Sequence, residues 1–192
     1  MLTFPERVTR IAEALSAAQI PFAFGGAIAL NYYAEPRATT DIDINIFLAE
    51  TDGLVTLRAL TPLGVAIDLD AAAHRLARDG QIRLAWGVTP VDLFFSTVPF
   101  LDSAATRTRF VPYEERQIPI LSAEDLFVCK VIFNRAKDWY DLRVMLLLTV
   151  NRLDRAYLDY WLGEMLGQDD PRIVRANEIF MEMQERRSQE TP

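Results

Sequence analysis

The sequence predicts an α/β (α+β) domain followed by an all-helical region, and three observations carry that prediction. Up to about residue 121, short apolar runs bounded by glycine or proline alternate with amphipathic helical patterns. From Ser122 onward the apolar residues recur only at helical spacing. With 192 residues, 51% of them apolar, the chain is long enough for one domain plus a helical appendage, set here at residues 1–121 and 122–192.

Thr3, Pro5 and Glu6 form a helix start, and Val8, Ile11, Leu15 and Ala18 continue one face through Gln19. Ile20 to Phe24 is a short buried strand that ends in Gly25-Gly26 and turns into a helix over Ala27 to Ala34, closed by Glu35-Pro36. A glycine pair at such a junction lets backbone N–H groups approach an anion; an ordinary strand-to-helix turn uses the same residues. Asp41 to Leu48 then alternates, placing Asp41, Asp43 and Asn45 on one face and Ile42, Ile44 and Ile46 on the other. The two aspartates point the same way with Cα atoms about 6.5–7 Å apart, a spacing that suits shared divalent ions. A solvated edge strand alternates in the same manner, but two like charges on a mostly buried sheet call for a neutralising cation.

Thr51-Asp52 caps a helix to about Leu60, Val65 to Leu69 reads as a short strand, and Ala71 to Asp79 as a helix closed by Gly80. Gln81 to Trp86 and Val88 to Phe95 form a hairpin around Gly87. Asp92 is a lone acid in the apolar second strand, so a neighbouring basic group or a metal is expected beside it. Phe100 to Ile120 reads as irregular or short-strand structure made basic by Arg107, Arg109 and Arg116.

Ser122 caps the next helix, with Glu124 and Asp125 in its first turn. That helix runs to about Asn134 and is nearly all apolar apart from Lys130, which either snorkels outward or faces an anion. A strongly apolar helix follows Arg135-Ala136-Lys137-Asp138-Trp139-Tyr140-Asp141 and continues through Val150. Asp154 to Leu166 and Pro171 to about Arg187 complete the helical region. Trp139, Tyr140, Tyr157 and Trp161 read as packing residues rather than base-stacking ones.

A net charge of −7 argues against wrapping nucleic acid by electrostatics alone, so any RNA contact must be local. The cations are eighteen arginines and two lysines, Lys130 and Lys137, which marks the lysines for specific tasks or for chance. The single Cys129 excludes an intrachain disulfide and a thiolate metal site, and reads as a core residue. His74 reads as a surface residue. No apolar run reaches membrane-spanning length and no secretory leader is visible, so a soluble cytoplasmic protein with no membrane partner is expected.

Gly25-Gly26 followed by Arg37, Thr39 and Asp41-Ile42-Asp43-Ile44 resembles the signature of the nucleotidyltransferase superfamily related to DNA polymerase beta. The later block, Ser122 to Leu126 with Lys130, Arg135 and Lys137-Asp138-Trp139-Tyr140-Asp141-Leu142, is similar to the second block of the AbiEii-type branch, whose members include toxins of toxin–antitoxin and phage-defence systems. Fourteen residues separate Gly26 from Asp41, long for the superfamily, with the extra length assigned to the connection around Glu35-Pro36.

The resemblance implies a nucleotidyltransferase-type mixed sheet flanked by helices, with a C-terminal helical bundle. It implies Mg²⁺-dependent transfer of a nucleoside monophosphate from an NTP to an acceptor hydroxyl. Two Mg²⁺ ions, or Mn²⁺ in their place, would be bound by Asp41, Asp43 and Asp92, the last also assisting deprotonation of the nucleophile. Gly25 and Gly26 would hold the triphosphate, and Lys130, with Arg135 and Lys137, would balance phosphate charge. Arg37 and Thr39 would brace the metal strand. Asp138 and Asp141, three apart on one helix face, would orient Lys130 or the nucleotide, or serve only as acids at a helix N-terminus. The expected acceptor is RNA, tRNA in particular, and a cognate antitoxin is the expected partner. The alternatives are transfer to a small molecule or protein hydroxyl, or a relative that binds nucleotide without turnover.

Overall fold

The computed structural model describes residues 2–190. Among these, the chain forms two compact units, one from the residues up to Ile28 together with Ala38–Leu121, the other from Ala29–Arg37 together with the residues from Ser122 on.

The first unit opens with α1 (Phe4–Ala17), whose Thr3/Glu6 capping box and buried Val8, Ile11 and Leu15 follow the sequence pattern. Strand β1 (Phe22–Phe24) is buried throughout and leads into α2 (Gly26–Leu30). This helix is shorter than the expected span to Ala34. After Leu30 the chain continues in turns that belong to the second unit, where the Asn31 side chain exchanges two hydrogen bonds with the Arg37 backbone, at 3.1 and 3.0 Å. Strand β2 (Ile42–Ile46) follows, then α3 (Gly53–Leu60) and α4 (Leu69–Asp79). No strand forms over Val65 to Leu69; Ala66 makes only an isolated bridge to Ala85.

Strands β3 (Gln81–Trp86) and β4 (Thr89–Phe95) form the expected hairpin, with Gly87 at φ +62° in its two-residue turn. Helix α5 (Pro99–Thr106) stands where irregular structure was expected. Its signals are Pro99 in the first turn, Asp102 nearby, and Phe100, Leu101 and Ala104 buried on one side; it has no side-chain cap to announce it. Strands β5 (Arg109–Tyr113) and β6 (Arg116–Ile120) close the unit as a second hairpin.

The six strands make one mixed sheet in the order β3-β4-β2-β1-β6-β5. β2 lies parallel to β4 and antiparallel to β1, while β1 is parallel to β6. Ile42, Ile44 and Ile46 are fully buried, as are Val91 and Leu93 beside them, so one face of the central strands belongs to the core. Alternation then places Asp43 and Asp92, both half-buried, on the opposite face.

The second unit is built from α6 (Ala123–Phe133), α7 (Ala136–Thr149), α8 (Arg155–Leu166) and α9 (Pro171–Glu190). Ser122 and Asp154 cap α6 and α8 through their side chains. Phe127 of α6 meets Phe180 of α9 edge-on, with ring centroids 6.4 Å apart. Asp125 is wholly buried and accepts hydrogen bonds from the hydroxyls of Ser122 and Tyr157. Trp139 is buried, its indole N–H bonded to Asn134 Oδ1, which agrees with a packing role. Tyr140 is exposed instead. Cys129 is partly accessible, yet burial of its sulfur and the neighbouring Asp125 charge push the thiol up to about 12, so it stays protonated at neutral pH. His74 is exposed. Among the described residues no helix is long and apolar enough to cross a membrane.

Candidate active site

The parallel pairing of β2 with β4 places Asp43 directly opposite Asp92. Two carboxylates that are distant in sequence therefore share one face on neighbouring strands about 4.8 Å apart. Asp41 precedes Asp43 by two residues, just before β2 begins, and is half-buried. The Thr39 hydroxyl brackets its backbone, 3.3 Å from both its N–H and its carbonyl, and Thr40 donates to its carboxylate at 3.0 Å. Thr40 was not among the sequence-predicted residues, and its position one residue before an acid is the only signal for it.

The glycine pair stands against the same strand. The Gly25 N–H donates to the Asp43 carbonyl at 2.9 Å, continuing the β1–β2 ladder by one residue. Gly26 has φ +51°, and a Cβ there would lie 1.8 Å from Asp43 Oδ2. A Cβ on Gly25 would lie 2.8 Å from Asn45 Nδ2. Side-chain-free backbone at both positions lets the helix start seat directly beside the Asp43 carboxylate, and the long Gly26-to-Asp41 spacing does not separate them.

Asp92 has the basic neighbour that its setting called for. Arg83, opposite it across the β3–β4 hairpin, donates from Nε and Nη2 to the two carboxylate oxygens at 2.7 and 2.6 Å. Sequence reading missed Arg83, although the two-residue turn at Gly87-Val88 fixes the register and so pairs residue 83 with residue 92. The fork to Asp92, then the charges of Asp92, Asp41 and Asp43, push the Arg83 guanidinium above its ordinary value. No three acidic, histidine or cysteine side chains among the described residues stand close enough together to hold a metal ion.

The second unit holds the other motif. Lys130 does not snorkel: it is buried, with Nζ 2.7 Å from Asp141 Oδ2 and 3.8 Å from Asp138 Oδ1. Asp138 also caps α7, accepting from the Arg135 backbone N–H at 3.1 Å and from its guanidinium at 2.7 Å. Asp141 accepts a further bond from Arg37 Nη2 at 3.1 Å. Arg37 thus braces Asp141 within the helical unit, whereas a place beside the Asp41–Asp43 strand was expected. Arg135 and Lys137 are exposed.

A family model described as nucleotidyl transferase AbiEii toxin, type IV TA system, matches residues 10–190. The fold is similar to the solution structure of the antibiotic-resistance factor ANT(2'')-Ia, at 12% identity and TM-score 0.58 over 95% of this chain and 96% of that one. It is similar also to a crystal structure of ANT(2'')-Ia in complex with adenylyl-2''-tobramycin, at 13% identity and TM-score 0.52 over 96% and 99% of the two chains. An antigenic nucleotidyltransferase-like protein from Paracoccidioides brasiliensis shares 15% identity and TM-score 0.51 over 91% and 92%. At such identities these likenesses speak for the fold alone, and among curated proteins nothing matches. The family match spans nearly the whole chain and includes both motifs, so the chain belongs to the AbiEii nucleotidyl transferase toxin family of type IV toxin–antitoxin systems and is a nucleotidyltransferase.

Proposed function

We propose that the protein transfers a nucleoside monophosphate from an NTP to a hydroxyl of RNA, tRNA in particular, in the cytoplasm, as a toxin countered by a cognate antitoxin. The observation that carries this reading is the register of Asp43 with Asp92, with Gly26 seated against the Asp43 carboxylate. Asp43 and Asp92, in register on neighbouring strands, and Asp41, two residues before Asp43, are hard oxygen donors of the kind that Mg²⁺, or Mn²⁺ in its place, takes. Asp41, Asp43 and Asp92 would hold such ions, which would supply neutralisation of the charge that develops during phosphoryl transfer.

The chain's own residues do the rest. Asp43 presents its carboxylate from a strand paired on both sides, and Asp41 is held just ahead of that strand by the Thr39 and Thr40 hydroxyls. Gly25 and Gly26, seated beside the Asp43 carboxylate, are the backbone assigned to the triphosphate. The acceptor oxygen bonds to the α-phosphorus, the bond to pyrophosphate breaks, and Asp92 takes the hydroxyl proton. Within the helical unit, Asp138 and Asp141 set the position of Lys130, and Arg135 and Lys137 are exposed cations.

The test is incubation of the purified protein with each α-labelled NTP and total RNA. Label enters RNA with Mg²⁺ and is lost in Asp43→Ala; no incorporation with any of the four nucleotides overturns the RNA reading. The net charge of −7 favours a second acceptor, a cationic small molecule, and ANT(2'')-Ia is itself known in complex with an adenylylated aminoglycoside. Label appearing on an aminoglycoside and not on RNA selects that reading.

A further inference from the structure

Both oxygens of the Asp92 carboxylate are taken by a guanidinium fork from Arg83, and Arg83 is the sole charged residue of β3. The two side chains differ in freedom: that of Asp92 is 14% exposed, whereas that of Arg83 is 65% exposed. Hairpin register places Arg83 opposite Asp92, and sheet register places Asp92 opposite Asp43, so one cation and two anions stand in a row across three strands. No divalent ion can take Asp92 through both oxygens while the fork is closed, and the fork can open by a swing of Arg83 into water.

We propose that Arg83 is a positioning residue that stands in for a metal ion: it holds the Asp92 carboxylate in the metal-free protein and competes with divalent cations for it. The inference rests on the reading of Asp92 as a metal ligand. Its physical basis is charge. Asp43 stands opposite Asp92 in register, so the guanidinium on Asp92 neutralises one of two like charges that would otherwise repel across the sheet. A divalent ion brings twice that charge and displaces the arginine, whose donors are then free for a phosphate oxygen. The metal-free enzyme is thereby stabilised with its third carboxylate withheld.

The test is binding of Mn²⁺ alone, followed by electron paramagnetic resonance of the free ion, on the whole chain and on Arg83→Gln, Arg83→Lys and Asp92→Asn. Arg83→Gln binds Mn²⁺ roughly threefold to tenfold more tightly, the scale of a partly exposed ion pair, and Arg83→Lys falls between it and the parent because a single ammonium cannot form the fork. Without metal, Arg83→Gln melts at a lower temperature than the parent, and saturating Mg²⁺ closes the gap. Unchanged or weaker Mn²⁺ binding in Arg83→Gln overturns the proposal, provided Asp92→Asn weakens binding. If Asp92→Asn leaves Mn²⁺ affinity unchanged, it is the assignment of Asp92 as a ligand that fails. Should Arg83→Gln not fold, the Arg83 ¹⁵Nε resonance of the parent decides: it shifts on adding Mg²⁺ if the fork opens, and a resonance that stays in place while metal binds overturns the proposal.

Discussion

Gly26 and Asp43 are in contact at a position where no other residue fits: a Cβ on Gly26 would stand 1.8 Å from Asp43 Oδ2, and the backbone there has φ +51°. The glycine and the acid of the first motif, seventeen residues apart, form a single structural unit.

Gly26→Ala should therefore impair both stability and catalysis. The left-handed backbone alone costs about 1–2 kcal/mol for an L side chain, and the methyl group must displace the Asp43 carboxylate. Urea unfolding will show the loss of stability, and nucleotide labelling a loss of activity larger than unfolding accounts for. Full activity in the folded variant would show that the Asp43 side chain need not lie where it does.

Asp43→Asn separates folding from chemistry. Asp43 faces Asp92 directly, and like charges opposite one another on a sheet cost up to about 1 kcal/mol. The variant should melt at the same temperature as the parent or higher in the absence of metal, by differential scanning calorimetry, while labelling falls at least about a hundredfold. A lower melting temperature with activity retained would contradict both halves.

Lys130→Met should destabilise the helical unit by about 3 kcal/mol, since removing one member of a buried ion pair leaves uncompensated charge. The value sits at the low end because Asp141 keeps Arg37 and Asp138 keeps Arg135. Adding Asp141→Leu should recover part of the loss, as denaturant titration of the single and double variants will reveal. Additive losses would mean that the pair is not coupled.

Acid stability has a local contribution at Asp170, ahead of α9. Hydrogen bonds from the Arg172 guanidinium and its backbone N–H hold this carboxyl at about 2, against an ordinary 3.8. A depressed folded-state value gives stability that is complete above 3.8 and fades as pH falls toward 2. In Arg172→Ala, carboxyl NMR should find Asp170 titrating closer to its ordinary value, and the acid-unfolding curve should become shallower between those limits. An unmoved titration would show that Arg172 does not set it.

Features resting on neighbouring residues were legible in the chain: the Thr3/Glu6 box, the Ser122 cap, the Gly87 hairpin, and the alternation that sets Asp43 between the buried Ile42 and Ile44. Where a local signal was weak or ambiguous, reading failed. α5 lacks a capping side chain, and α2 stops at Leu30 because Asn31 turns back onto Arg37.

By itself the sequence determined the two motifs, the α/β-then-helical order and the family, because glycine backbone freedom, strand alternation and helix caps act over a few residues. Tertiary structure alone decided that Asp92 stands in register with Asp43 and that Lys130 and Arg37 converge on Asp141, while the Arg83–Asp92 fork follows from the hairpin turn. Those pairings join residues from 9 to 104 positions apart. Strand register and helix packing set them through the burial of Ile42, Ile44, Val91 and Leu93 in one unit and Leu142 and Met145 in the other. The charged partners are carried into place by the apolar residues beside them.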